Sequence, residues 1–126
     1  MKVCFLDKTE FQYNFKDIDK SFIRGAENIL INLSACISKL GHEVIVFNNC
    51  SSEYKSQNYS WLNLERLKSN KYHFDIAISN NDTRLLDKVS ALRKFVISHS
   101  LQTLEKFIRK KQLKSYLINK PIYLLL

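Results

Sequence analysis

Arg24-Gly25-Ala26-Glu27 at one end and Leu40-Gly41-His42-Glu43-Val44-Ile45-Val46-Phe47 at the other enclose the stretch that decides the fold. Between them, apolar residues recur at Ile29, Leu30, Leu33, Cys36, Ile37 and Leu40. That i, i+3, i+4, i+7 spacing puts them on one face of a helix. Gly25 and Gly41 are the only two glycines in the chain. Gly41 stands where the helix must stop, because glycine enters the left-handed conformation that closes a last turn. The β-branched run after it, 43–48, has the composition of a buried strand. Ahead of the helix, Met1-Lys2-Val3-Cys4-Phe5-Leu6 is another apolar run of strand length. Strand, loop, helix and strand in that order make a βαβ unit, with its loop at the first strand-to-helix turn.

That turn has chemical potential. The first N–H groups of a helix lack partners inside it and carry the positive end of its dipole. A glycine there lets a phosphate approach the backbone. Gly25 has two readings on spacing alone: phosphate approach, or relief of an unusual backbone angle at a helix start.

Further along, 49–60 is polar and reads as a loop. Trp61, Leu62, Leu64 and Leu67 suggest a short helix to about Asn70, and Phe74–Ser79 a third strand stopped by Asn80-Asn81-Asp82. Leu85, Leu86, Val89 and Leu92 are spaced as a helix, and Lys94–Ser98 forms a fourth strand followed by His99-Ser100. Ser100 is positioned to cap a long helix over 101–117, with Leu101, Leu104, Phe107, Ile108 and Leu117 on its apolar side. Pro121 opens a fifth, wholly apolar strand to Leu126, which needs a further helix or partner to cover it. Strands alternating with helices predict one α/β domain over 1–126, a three-layer, Rossmann-like, doubly wound parallel sheet of about five strands in the order 3-2-1-4-5.

At 126 residues and 45% hydrophobic content, a single domain with a true core is expected. No run is long enough to span a membrane, and Asp7 and Lys8 interrupt the first apolar run too early for a signal peptide, so the expected location is the cytosol. Cys4, Cys36 and Cys50 show no paired spacing; Cys4 in a strand and Cys36 on the apolar helix face read as small buried hydrophobes, and no metal is expected. Charge is uneven. Residues 1–83 balance ten Lys/Arg against ten Asp/Glu, whereas 84–126 hold ten against Asp87 and Glu105 alone, which accounts for the net +8. Lys106, Arg109, Lys110, Lys111 and Lys114 crowd one predicted helix. They form either a solvated face or a surface for anionic lipid at the inner face of a membrane. No zinc-finger or RNA-recognition signature accompanies them, so nucleic acid is not expected.

Arg24-Gly25-Ala26-Glu27, Leu40-Gly41-His42-Glu43-Val44, Phe74-Asp75-Ile76-Ala77-Ile78-Ser79-Asn80 and Val96-Ile97-Ser98-His99-Ser100 resemble, over nearly the whole chain, the opening domain of family-four glycosyltransferases of the GT-B fold. In that family a Gly-Gly-x-Glu turn starts the first helix and Gly-His-Glu-Val begins the second strand. The resemblance implies the acceptor-side domain of a retaining enzyme that takes sugar from a nucleotide-diphosphate donor to a carbohydrate or lipid-linked acceptor, without cofactor or metal. Gly25, with Arg24 and Ala26, matches the loop that meets the donor diphosphate. His99 matches the histidine at the transferring sugar. Arg24 departs from the pattern by replacing its first glycine, although an arginine can itself hold a phosphate. The residues with which the family's C-terminal domain grips the nucleotide have no counterpart in 1–126, so this segment alone is expected to be inactive. Read without the family, His99 is either a ligand contact or a helix cap. Asn80 and Asn81 either bind acceptor hydroxyls or shape a turn. The alternative function is a non-catalytic Rossmann-like module that binds a partner or anionic surface through its basic helix.

Overall fold

The computed structural model describes residues 1–100 and 104–125. Its strands are β1 (Lys2–Leu6), β2 (Glu43–Asn48), β3 (Tyr59–Asn63), β4 (His73–Asn80), β5 (Ser90–Ser98) and β6 (Ile122–Leu125); its helices are α1 (Gly25–Lys39), α2 (Leu104–Arg109) and α3 (Leu113–Asn119). All six strands lie in one parallel sheet, in the order β3-β2-β1-β4-β5-β6. This has the predicted Rossmann-like pattern with one strand more than expected, and the added strand is β3, at the β2 edge of the sheet.

The edge strand β3 is a segment read from sequence as loop and helix. Tyr59–Asn63 pairs with β2 from Val44↔Tyr59 to Asn48↔Asn63, and only Leu64–Lys68 turns, as a 3-10 helix capped by Asn63. Trp61 and Leu62 are therefore on opposite faces of a strand, in two different cores. As a consequence the segment at 74–79 lies beside β1, and that at 94–98 lies one strand further out. The helix expected around 85–92 is a 3-10 turn, Thr83–Lys88, after which β5 begins at Ser90; Leu92 is exposed.

α1 covers one face of the sheet. Its buried residues are Glu27, Leu30, Ile31 and Ser34, packed with Val3, Phe5, Val44, Val46 and Trp61. The predicted stripe is rotated: Ile29, Leu33 and Ile37 are half-buried, while Cys36 and Leu40 are exposed. Buried polar positions cause the shift, since Ser34 Oγ is 2.9 Å from Tyr59 Oη and Glu27 has its own partners at the helix start. At the other end, Gly41 at φ 96° closes the helix, its N–H donating to Ser38 O at 3.0 Å.

On the second face, Cys4, Leu6, Phe47, Ala77 and Val96 pack under Leu67, Leu85 and Leu86 of the two 3-10 turns. α3 lies against Thr83–Lys88, tied by Ser115 Oγ and Asn119 Nδ2, each 2.6 Å from the Asp87 carboxylate. The long helix expected over 101–117 is two short ones, broken at Lys111, whose φ is 58°. Phe107 is buried as expected, but Ile108 and Leu117 face outward. Leu101 and Leu126, and the side chain of Leu104, lie outside what the structure describes, as does the helix start that Ser100 was expected to cap. Among the described residues no helix is long and apolar enough to cross a membrane.

Candidate functional site

In a doubly wound sheet the loops leaving two neighbouring strands diverge where the strand order reverses, and a crevice opens there at the carboxyl edge. Here the reversal is between β1 and β4. A crevice of about 630 Å³ opens at that point, walled by the residues after β1, by Arg24, by Asn80, Asn81 and Asp82 at the end of β4, and by Lys110. A cavity of the same size, about 630 Å³, lies near Lys71, Tyr72, His73 and Lys88 at the amino edge. The first is the stronger candidate because neighbouring loops diverge only at the switch point, and there buried polar side chains meet four cations.

The acidic side of the crevice is built from β1 outward. Asp7 follows the last residue of β1, and its backbone N–H donates to Phe47 O at 3.0 Å, which fixes it against β2. Its side chain is buried, with Oδ2 accepting from the Tyr13 hydroxyl and Oδ1 from Thr9 N at 3.2 Å. Burial raises the Asp7 carboxyl above its ordinary range; the hydrogen bonds from Tyr13 and Thr9 oppose that without overcoming it, and nearby Glu27 adds to it. The Tyr13 phenol is likewise pushed up, by burial and then by Asp7.

Glu27 sits in the first turn of α1 with no exposed side-chain surface. Arg24 Nη2 donates to its Oε1 at 2.6 Å, and Thr9 Oγ1 is 3.0 Å from the same oxygen. Burial works against the Glu27 charge, but Arg24, the residue's own N–H and Thr9 outweigh it, so the carboxyl titrates below its ordinary range. Arg24, itself two-thirds exposed, also lies over the Phe11 ring at 5.2 Å. Arg24 does not cap the helix through its side chain. A Cβ placed on Gly25 meets nothing within 4 Å, so packing does not demand glycine there and the space before the helix is open.

The opposite wall is organised by Asp82. Its Oδ1 accepts from Arg84 N at 2.9 Å, capping the 3-10 turn, and its carboxylate pairs with Arg84 Nη2 at 2.8 Å and with Lys8. Burial again opposes ionisation and is outweighed by Arg84 and Lys8, which hold Asp82 below the usual carboxylate range. Gln112, buried between α2 and α3, accepts from Thr83 N at 3.2 Å and so holds the break beside Lys110 against the crevice.

Of the residues singled out in the sequence, Arg24, Asn80 and Asn81 line one cavity. Gly25 and Ala26 follow Arg24 at the start of α1 but are not among the lining residues. His99 lies at the same sheet edge, one strand out at the end of β5: its Nε2 is 3.2 Å from Asn80 Oδ1, and its N–H donates to Asn81 Oδ1 at 3.3 Å. It therefore touches the crevice through the two asparagines rather than lining it. Asn81 takes φ 62°, so turn formation and crevice lining are combined in one residue. Lys8, Arg84 and Gln112 went unmarked in the sequence, and their one signal is position, directly after a strand or at a helix break. Among the described residues no group of His, Cys, Asp or Glu is arranged to hold a metal.

The fold and this site define a Rossmann-like α/β domain with a charged, polar crevice at its switch point. Comparison with protein-family models, curated proteins and solved structures gives no match.

Proposed function

We propose that this chain is the acceptor-side half of a GT-B-type retaining glycosyltransferase, with the β1/β4 crevice as its ligand-binding wall. One observation carries the reading: hydroxyl-recognising groups (Asn80, Asn81, Asp82) and phosphate-recognising groups (Lys8, Arg24, Arg84, Lys110) converge on one cavity large enough for a sugar phosphate. Carboxamides and carboxylates bind sugar hydroxyls, and guanidinium and ammonium groups bind phosphate oxygens. The resemblance of the α1 start to the family's diphosphate loop, and of His99 to its sugar-contacting histidine, points the same way. Within this reading Arg24 and the open backbone at Gly25 and Ala26 face the donor diphosphate. Asn80 and Asn81 orient the acceptor, and His99, held by both asparagines, contacts the transferring sugar. A second domain supplies the groups that grip the nucleotide.

Binding and turnover test it separately. Titrating the 126-residue chain with a nucleoside-diphosphate sugar and with a sugar phosphate, followed by amide NMR, should move resonances of Lys8, Arg24, Gly25 and Asn81 with no sugar transfer. Turnover by this segment alone would contradict the assigned division of labour. Shifts confined to the amino-edge cavity near Lys71 and Lys88 would contradict the site.

A further inference from the structure

One hydrogen is missing from the Asp7–Thr9–Glu27 arrangement. Thr9 Oγ1 lies 3.0 Å from Asp7 Oδ1 and 3.0 Å from Glu27 Oε1. A hydroxyl donates a single hydrogen. With both carboxylates ionised, one of these contacts sets oxygen lone pairs against each other in a site where neither acid is more than 3% exposed. A proton on one acid resolves this: that acid donates to Thr9, and Thr9 donates to the other. Arg24 is bonded to Glu27, which favours the ionised form there. Asp7 has no bonded cation among the described residues; its other contacts are Thr9 N and the Tyr13 hydroxyl. The proton therefore belongs on Asp7, and the chain of donation runs from Asp7 through Thr9 to Glu27, with Arg24 at its end. Burial, which raises the Asp7 carboxyl, agrees with the geometry.

This proton decides the charge of the crevice. The groups facing Asp7 and the cavity are Lys8 and Glu10 from the loop after β1, Arg24 and Glu27 from α1, Asp82 and Arg84 after β4, and Lys110 from the end of α2; Tyr13 is neutral. With Asp7 ionised, the carboxylates Asp7, Glu10, Glu27 and Asp82 balance the four cations. With Asp7 protonated, one positive charge is left over. Building on the crevice proposed above as a ligand site, we propose that it takes a sulfate- or phosphate-type dianion together with a proton held on Asp7. Linkage makes the coupling reciprocal: the dianion tightens the proton, and the proton tightens the dianion. For a nucleotide or sugar phosphate, this keeps a proton on the acceptor wall to higher pH while the phosphate is bound.

Sulfate is the probe because it does not titrate over the working range. Its affinity is measured by amide NMR between pH 4.5 and 8.5 for the wild-type chain and for Asp7→Asn, which cannot ionise. Removing a unit charge some 8 Å from a dianion changes affinity by roughly fivefold in a water-like dielectric, and more where water is excluded. The expected result is a loss of at least that size with rising pH in the wild type beyond whatever Asp7→Asn shows, since Glu10 and His99 are common to both proteins. The Asp7 carboxyl carbon shift of the wild type gives a second readout that needs no variant, and sulfate should raise its titration midpoint. Equal pH slopes in the two proteins, or an Asp7 midpoint unmoved by bound sulfate, would overturn the proton coupling while leaving the crevice as an anion site. Absence of sulfate shifts at the crevice at every pH would overturn the site and the coupling together. A parallel titration with a nucleoside diphosphate at about pH 8, above its own phosphate ionisation, separates the sources of the anion: tighter binding than sulfate indicates a nucleotide, and equal or weaker binding indicates a free oxyanion.

Discussion

Asp82 links stability to the site, and its removal separates two contributions. The carboxylate caps the Thr83–Lys88 turn through Arg84 N at 2.9 Å and holds Arg84 and Lys8 across the crevice mouth. Loss of a cap costs about 1 kcal/mol. The two ion pairs end on cations that are 41% and 50% exposed, so each is worth about 0.2–1 kcal/mol, and both cations rehydrate when released. Asp82→Ala should therefore cost about 2 kcal/mol at neutral pH. Asp82→Asn keeps an acceptor for the cap but loses the charge, and should cost about 1 kcal/mol. The sign with pH follows from the lowered Asp82 carboxyl. Its ionic contribution is complete above the ordinary aspartate range and is lost as pH falls through the depressed native value. Urea unfolding at pH 7 and at successively lower pH should show the Asn variant converging on wild type in acid, while the Ala variant keeps its missing-cap deficit. Equal cost for Asn and Ala at neutral pH, or an Asn deficit that persists in acid, would refute the separation of cap from charge.

Four further outcomes rest on the same geometry. Trp61 is fully buried beneath α1 and edge-on to Tyr13 and Tyr59, so Trp61→Ala should destabilise by about 3–5 kcal/mol in urea unfolding and confirm that 59–63 is a core strand rather than a surface helix. Gly25→Ala meets open space at a helical position and should be neutral or raise stability by about 0.4–1 kcal/mol while weakening phosphate binding. Gly41→Ala, at φ 96°, should cost about 1 kcal/mol or more and leave binding unchanged. Asp7 carries the opposite sign to Asp82. Because its carboxyl is raised, the stability it contributes is present below the ordinary aspartate range and is lost as pH rises through the native value. Asp7→Asn should therefore gain on wild type with rising pH in thermal melts.

The βαβ opening was legible in the sequence because local chemistry marks it: Gly41 ends α1 through a positive φ, and the β-branched run of β2 follows at once. β3 was not. Trp61, Leu62, Leu64 and Leu67 share a strand end and a 3-10 turn, and together they mimic helical spacing. What makes 59–63 a strand is its register on β2, a long-range pairing that local pattern does not encode. The rotation of α1 was hidden for a similar reason, since Glu27 and Ser34 are buried by partners remote in sequence. The break at Lys111 has neither glycine nor proline to announce it and is held by Gln112 on Thr83. Within the site, Asn80 and Asn81 were visible as strand-end residues and Arg24 as a helix-start residue. Lys8, Arg84 and Lys110 reach the crevice only through the strand order, which sets β4 beside β1.

In the function proposed above, the β1/β4 crevice holds a phosphate-bearing sugar ligand. Amide and side-chain NMR of the chain titrated with a nucleoside-diphosphate sugar tests it most directly. Saturable shifts are expected at Lys8, Arg24, Gly25, Asn80 and Asn81, with smaller ones at His99 transmitted through its asparagine contacts. Saturable shifts that leave these residues still and gather at the amino edge around Lys71, His73 and Lys88 would contradict it.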